Sequence, residues 1–332
     1  MIITKTPYRI SLFGGGTDHP MWFNNNGGGV VSFTIDKFCY ISCRYLPPFF
    51  EYKHRFVYSK IENINNINEI NHPAIKGVFK KTKWDINNGL EIHHDGDLPA
   101  RSGMGSSSSF TVGLLNAIYS IKSEKLNTNK LAYAAIDTEQ RIIGEFVGSQ
   151  DQVAASYGGF NKIDFYNKNK FKVTPFNLKD KQIKEIEDNS LLIFSGFSRL
   201  ANKIEKTKFS NMKSVKNQIY EIMTITEEAT NMIKNNFNYI DLGKMLDETW
   251  RIKKTFSKKV SNNLIDKIYD SAKKNGAIGG KILGAGGGGF LLIIANKKYH
   301  SRIKKNLKKF VFVPFKINFE GSKVVLNQPD GL

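Results

Sequence analysis

The chain has 332 residues, 40% of them hydrophobic, enough to bury a sizeable core as two domains or one large one, which excludes a disordered chain. Its formal charge is +19, from 49 Lys and Arg against 30 Asp and Glu, but the lysines are scattered and no helix-turn-helix, zinc-finger or RNA-recognition signature accompanies them. The charge therefore reads as a solvated surface, and as suited to a multiply phosphorylated ligand, rather than as a nucleic-acid interface.

Residues 2–4, 8–13, 30–35 and 38–42 read as short strands, punctuated by Gly14-Gly-Gly16 and Gly27-Gly-Gly29, both expected to be turns. The first seven residues lack the charged-then-apolar layout of a signal peptide, so a cytoplasmic protein is expected. The best apolar run, Phe290-Leu-Leu-Ile-Ile-Ala295, is far short of the roughly 18–20 residues of a membrane helix. Cys39 and Cys43 sit four apart in a β-rich run, which indicates neither a disulfide framework nor a zinc site. The first glycine triplet ends a strand and presents Thr17, Asp18 and His19, and its bare backbone permits close approach of a hydroxyl-rich ligand. Residues 61–71 are expected as a surface loop, 72–81 as a short helix and 90–93 as a strand.

That strand runs into Leu98-Pro-Ala-Arg-Ser-Gly-Met-Gly-Ser-Ser-Ser-Ser-Phe110, which looks built to hold phosphate. Gly103 and Gly105 let the backbone approach a ligand, and Ser106 to Ser109 supply hydroxyls and the unpaired first N–H groups of a helix. A flexible linker or a serine-capped helix start is the alternative. Phe110, Val112, Leu114, Leu115, Ala117 and Ile118 at helical spacing argue for the ordered helix.

A second amphipathic helix is expected over 128–144, with Glu139 on its apolar face. A carboxylate there needs a cation: Arg141 or Arg9 nearby, or a magnesium ion. Asp151, among small and apolar residues, is either a helix cap or a functional acid. A strand at 160–165 leads to a Lys/Asn-rich hairpin at 166–171, taken as a domain junction dividing 1–168 from 169–332. Beyond it come a buried strand at 190–194, helices near 212–234, 239–256 and 263–275, a strand at 290–294, a helix from 298 and a final strand at 310–317. Strands, helices and strands in each half suggest an α+β protein with two layers sharing a cleft.

Gly284-Ala-Gly-Gly-Gly-Gly289 formally satisfies the dinucleotide fingerprint, but it runs into a strand where that motif must open a helix. Neither a Walker A sequence nor a protein-kinase catalytic loop is present.

Three ordered elements resemble the GHMP kinase superfamily: Pro7-Tyr-Arg-Ile-Ser-Leu-Phe-Gly-Gly-Gly-Thr-Asp18, residues 99–109, and Lys281-Ile-Leu-Gly-Ala-Gly-Gly-Gly-Gly289. Within it, the Arg101-Ser-Gly-Met-Gly-Ser106 loop, the triple glycine before Thr17-Asp18 and Phe194-Ser-Gly-Phe-Ser-Arg199 are most similar to bacterial D-glycero-D-manno-heptose 7-phosphate kinases. The resemblance implies a ribosomal-protein-S5-like N-terminal domain (1–168), a ferredoxin-like C-terminal domain (169–332) and an active site between them. It implies ATP held by Arg101, Ser102, Gly103, Met104, Gly105, Ser106, Ser107 and Ser108, with Mg2+ on Ser107 and Glu139. Asp151 would be the base and Arg9 its neighbour, while Gly16, Thr17, Asp18, Gly286 and Gly287 would meet the sugar. Galactokinase-like members carry Glu-His where this chain has Gly15-Gly16, so galactose is a poor fit.

A phosphorylated sugar needs a second anion site, for which Arg199 and Lys203, one helical turn apart, are the candidates, followed by Arg44 and Arg101. The expected partners are ATP and a sugar phosphate, with no nucleic acid and no membrane, and the sequence does not fix an oligomeric state. A kinase for an unphosphorylated sugar or uronic acid, and a catalytically silent sugar-binding regulator, are the competing readings.

Overall fold

The computed structural model describes residues 1–84, 88–196 and 215–328. Strand β1 (Ile2–Phe13) pairs antiparallel with β2 (Gly28–Tyr45), from Ile2 opposite Cys43 to Phe13 opposite Val31. The sequence suggests two strands in each place, because Pro7 lacks an N–H and Asp36-Lys37 interrupt the apolar pattern. The ladder shifts register between Pro7 and Arg9 without ending. Gly28 and Gly29 belong to β2 and not to a turn; a Cβ on Gly14 would lie 1.9 Å from the Gly29 carbonyl oxygen, so the two glycine triplets pack backbone against backbone.

Strands β3 (His54–Val57), β4 (Ile61–Ile64), β5 (Leu90–Gly96), β6 (Phe160–Tyr166) and β7 (Lys170–Pro175) extend this sheet, with β3 and β5 parallel. The expected loop at 61–71 conceals β4 because one of its inward positions is charged. Glu62, buried, accepts hydrogen bonds from the Tyr58 hydroxyl (2.6 Å) and the Asn71 N–H (2.7 Å), so the apolar alternation is broken without loss of the strand. The β6–β7 turn is the expected hairpin, with Lys168 and Asn169 both at positive φ.

The second sheet holds β8 (Ser190–Phe194), β9 (Ala277–Ile282), β10 (Phe290–Ala295) and β11 (Val311–Val313) in the order β11-β8-β10-β9, antiparallel throughout. Helices intervene between β8 and β9 and between β10 and β11, which is the ferredoxin-like arrangement. The chain then returns: β12 (Ile317–Asn318) pairs with β2 and β13 (Lys323–Asn327) with β1. The halves are thus not separated at residue 168, since β7, β12 and β13 are strands of the first sheet.

Helices α1 (Pro20–Asn26), α2 (Pro73–Thr82), α3 (Ser106–Ile121), α4 (Thr128–Asp137) and α5 (Gln150–Tyr157) belong to the first unit. α3 crosses β1 and β2 so closely that Thr4 Oγ1 donates to the Gly113 carbonyl (3.0 Å), and a Cβ at Gly113 would sit 2.9 Å from Thr6 Oγ1. Val112, Leu114, Leu115, Ala117 and Ile118 are fully buried, which anchors the phosphate loop's helix in the core. Burial of such Val, Leu or Ile side chains contributes about 1.5–3 kcal/mol each. The second unit holds α6 (Asp180–Asp188), α7 (Lys216–Asn235), α8 (Tyr239–Thr255), α9 (Asn263–Lys274) and α10 (His300–Asn306); α8 and α9 pack on the smaller sheet, and α7 packs on α8 and on β2. Buried Lys281 of β9 donates to the Leu12 carbonyl at 2.7 Å, tying the two units together beside the first glycine triplet.

Candidate active site

The phosphate loop is held from behind by the second unit. A Cβ on Gly103 (φ +82°) would lie 2.5 Å from the Leu283 carbonyl oxygen, and one on Gly289 (φ +98°) would lie 2.2 Å from that of Ser102. The Phe290 N–H donates to the Ser102 carbonyl at 3.1 Å, while Ser102 Oγ, fully buried, donates to the Pro99 carbonyl at 2.7 Å. Ser102 and buried Met104 are therefore supports of the loop, not faces of it. Gly105 stands at the N-cap of α3 at φ +73° and no side chain caps the helix, so its first N–H groups are left for an anion at the positive end of the helix dipole.

The four serines point to four destinations. Ser106 Oγ accepts the Arg101 N–H (3.1 Å), Ser107 faces solvent, Ser108 Oγ donates to Glu139 Oε2 (2.9 Å) and Ser109 Oγ donates to the Pro7 carbonyl (2.9 Å). Arg101, exposed, holds φ +60°, an uncommon conformation for a residue with a side chain.

Asp151 stands in the first turn of α5 and is gripped by Arg9 of β1. Arg9 Nε donates to Oδ1 and Nη2 to Oδ2, both at 2.8 Å, and Arg9 Nη1 donates to the Gly103 carbonyl, also at 2.8 Å. One guanidinium thus orients the carboxylate and the loop together, a fork that lysine cannot reproduce. A Cβ on Gly105 would lie 3.3 Å from Asp151 Oδ2, which places that oxygen at the head of α3. Burial raises the Asp151 pKa above the usual carboxylate range; Arg9 opposes the shift and the nearby Asp18 adds to it. A carboxylate so raised is a better proton acceptor than an ordinary one.

Glu139 does not lie in a continuous α-helix. α4 ends at Asp137 and the chain continues as a π-helical turn, Thr138–Ile143, that carries Glu139 inward. Only 1% exposed, Glu139 accepts Ser108 Oγ and Gln152 Nε2 on Oε2, while Oε1 is buried with no hydrogen-bond partner. Among the described residues no lysine or arginine forms an ion pair with it. Arg141 is engaged with Asp137 and Arg9 with Asp151. Burial, with the like charge of Glu145 adding to it, raises its pKa to about 7 against the weaker pull of Thr111, Ser108 and Gln152. The donor set, an unpartnered carboxylate oxygen with no basic neighbour and a solvent-facing hydroxyl at Ser107, fits a hard divalent cation.

Asp18 is buried at the N-terminal end of α5: Oδ1 accepts the Gly16 N–H at 2.8 Å and Oδ2 faces the Gln150 N–H at 3.4 Å. A Cβ on Gly148 would come within 2.0 Å of Asp18 Oδ2, so the chain before Asp151 closes over this carboxylate. Thr17 is fully buried, its hydroxyl engaged with the backbone of Gly14 and Gly29, and serves the turn. Gly286 and Gly287 rest on Val260: a Cβ on Gly286 would meet the Val260 carbonyl at 2.6 Å, and the Gly287 N–H donates to it at 2.9 Å. The members of that glycine run that touch the phosphate loop are Gly284 and Gly289. Arg199 and Lys203 lie outside the described residues. Ser108 as partner of Glu139, and Gln152 beside Asp151, were not singled out for these contacts in the sequence; only the adjacency of Gln152 to Asp151 could have drawn attention to it.

Comparison with known proteins bears on the family and the fold. The model of the GHMP kinases N terminal domain matches residues 69–159, and that of the GHMP kinases C terminal region residues 232–312. The D-glycero-alpha-D-manno-heptose 7-phosphate kinase of Campylobacter jejuni is 30% identical over 324 residues, covering 93% of each chain. This chain belongs to the GHMP kinase family. It is therefore an ATP-dependent phosphotransferase with a hydroxyl group as acceptor. The mevalonate kinase of Methanocaldococcus jannaschii is 25% identical over 326 residues, covering 93% of this GHMP kinase and 96% of its relative. Among solved structures, a D-glycero-D-manno-heptose 1-phosphate kinase from Bacteriodes thetaiotaomicron superposes with a TM-score of 0.78 at 22% identity, covering 97% of this chain and 98% of the other, a likeness of fold. Among the described residues no helix is long and apolar enough to cross a membrane.

Proposed function

We propose that this GHMP kinase transfers the γ-phosphate of ATP to the anomeric C1 hydroxyl of D-glycero-D-manno-heptose 7-phosphate, giving the 1,7-bisphosphate that leads to nucleotide-activated heptose and surface polysaccharide. The observation that carries the reaction is the Arg9–Asp151 fork beside the uncapped head of α3. The likeness to the Campylobacter jejuni heptose 7-phosphate kinase supports the acceptor.

The first-turn amides of α3 and the backbone of 103–105 bind the phosphates and hold them in line with the acceptor. Positioning and charge stabilisation are most of what phosphoryl transfer asks of a protein. Asp151 accepts the C1 hydroxyl proton as the oxygen–phosphorus bond forms and the bond to the β-phosphate oxygen breaks, releasing ADP. An anomeric hydroxyl is more acidic than an ordinary alcohol, which suits a carboxylate base of raised pKa. Arg9 keeps that carboxylate aimed. Glu139 through Oε1 and Ser107 would hold Mg2+, which when bound neutralises charge on the nucleotide phosphates. Asp18 and the Gly16 backbone would meet the sugar hydroxyls, and Arg199 with Lys203 the 7-phosphate.

ADP release measured with heptose 7-phosphate, mannose, galactose and glucuronate tests the assignment. The proposal expects the highest kcat/KM with heptose 7-phosphate, and its loss when the divalent ion is chelated. Faster turnover of an unphosphorylated sugar or of the uronate would overturn the acceptor. ADP release unaffected by any sugar would overturn the kinase reaction itself.

A further inference from the structure

We propose that Gln152 is a positioning residue for the divalent cation: its side-chain amide locks Glu139 so that one carboxylate oxygen is held back and the other is presented to the ion. The inference rests on the reading of Glu139 as the cation's carboxylate. It adds a second task for α5, whose consecutive residues would serve the base and the cation carboxylate.

Ser108 Oγ at 2.9 Å and Gln152 Nε2 both donate to the same oxygen, Oε2, and the neighbouring Thr111 hydroxyl, which also favours the ionised carboxylate, donates to the Ser107 carbonyl at 3.2 Å, while Oε1 has no partner although it is buried. Such lopsided satisfaction is costly unless a further group meets Oε1, because a buried carboxylate oxygen without a partner is unfavourable. Two donors on Oε2 also remove the carboxylate's freedom to rotate, as outer partners of metal ligands do elsewhere. Gln152 is fully buried, at a place where an apolar side chain of similar length would cost no desolvation, and its own Oε1 has no partner. With Glu139 ionised, as a cation ligand must be, turning the amide over would set its carbonyl against the carboxylate, acceptor against acceptor. One residue earlier on α5, Asp151 is turned to Arg9 and the head of α3. The first turn of α5 is thus a short rigid strut that sets the base and the cation carboxylate at a fixed separation.

The test is Mn2+ binding, followed by electron paramagnetic resonance, to wild type, Gln152→Met, Ser108→Ala and Glu139→Gln with a non-hydrolysable ATP analogue at saturation. Affinity for the analogue is measured separately in EDTA. Gln152→Met is expected to weaken Mn2+ binding about 10- to 100-fold, the range seen on losing an outer partner of a metal ligand, with metal-free nucleotide affinity unchanged. Mn2+ affinity equal to wild type, or a parallel fall in metal-free nucleotide affinity, overturns the positioning role while leaving the cation reading intact. Glu139→Gln binding Mn2+ like wild type overturns the cation reading and the inference with it. Should Gln152→Met fail to fold, Gln152→Asn, whose amide is one methylene too short to reach Oε2, keeps the test, and wild-type Mn2+ affinity in that variant overturns the inference in the same way, while Ser108→Ala measures the share of the other donor.

Discussion

Replacing Glu139 by glutamine is predicted to stabilise the metal-free protein, by an amount that grows with pH, while removing activity. Burial lifts this carboxyl from 4.5 to about 7. Between those values the native state keeps a proton that the unfolded chain has released, so stability from this group is lost as pH rises from about 4.5 to about 7. At 1.36 kcal/mol per pKa unit the penalty is about 1 kcal/mol near pH 5 and about 3 kcal/mol near pH 8. Glutamine has the shape of the protonated acid and no charge, so the variant escapes the penalty. Glu145, also raised by burial, repels the Glu139 carboxylate, and relief of that repulsion in the variant adds to the difference in the same direction. Asp137 does not confound the window: Arg141 first and Lys81 next hold it down to about 2, so its contribution is present above 3.8 and lost only in stronger acid. Urea unfolding of the two proteins in EDTA, between about pH 5 and about pH 8, measures the difference directly. A difference that does not change with pH, or a variant less stable than wild type at the alkaline end, would refute the reasoning.

Asp151→Asn keeps the shape of the site but removes the proton acceptor, and kcat should fall roughly 10²- to 10⁴-fold with ATP affinity little changed. Unaltered turnover in a folded variant would remove Asp151 from the chemistry. Gly103→Ala would place a methyl group 2.5 Å from the Leu283 carbonyl oxygen at φ +82°. The phosphate loop must then part from the second unit, seen as a lowered melting temperature together with a raised KM for ATP; an unchanged KM would show that the loop does not depend on that contact. Arg9→Lys retains the charge but cannot span both Asp151 oxygens and the Gly103 carbonyl, so kcat is expected to drop more than KM rises. A KM effect alone would contradict the role given to the fork.

The glycine-serine loop, the helix that follows it and the odd placing of Glu139 and Asp151 stand out in the sequence against an apolar background, whereas the pairing of Arg9 with Asp151 followed only from the family resemblance. The ferredoxin-like order of the second sheet followed only from the resemblance of three motifs. What stayed hidden was long-range. Nothing local announces that residues 317–327 return to β1 and β2, because short, partly exposed strands carry little apolar alternation. The π-helical turn at Glu139 is hidden from a reading at α-helical spacing, because its wider turn is set by packing and not by any local residue pattern. Ser107 and Ser108 are adjacent and alike, so which of them meets Glu139 depends on the rotation of α3, which the packing of its far end on β1 and β2 decides. Gly286 and Gly287 look like ligand contacts in sequence, yet Gly286 owes its lack of a side chain to the closeness of Val260, and Gly287 holds φ +76° with its N–H on the Val260 carbonyl.

The account stands most directly on where the γ-phosphate of ATP goes. Phosphorus NMR of the protein incubated with ATP, Mg2+ and D-glycero-D-manno-heptose 7-phosphate should show the γ-phosphate signal giving way to that of a phosphate on the anomeric carbon, matched by ADP. The Asp151→Asn protein should show almost none of this conversion over the same period. Consumption of ATP to free inorganic phosphate, or a sugar left unphosphorylated at C1 by the folded wild-type protein, would contradict it.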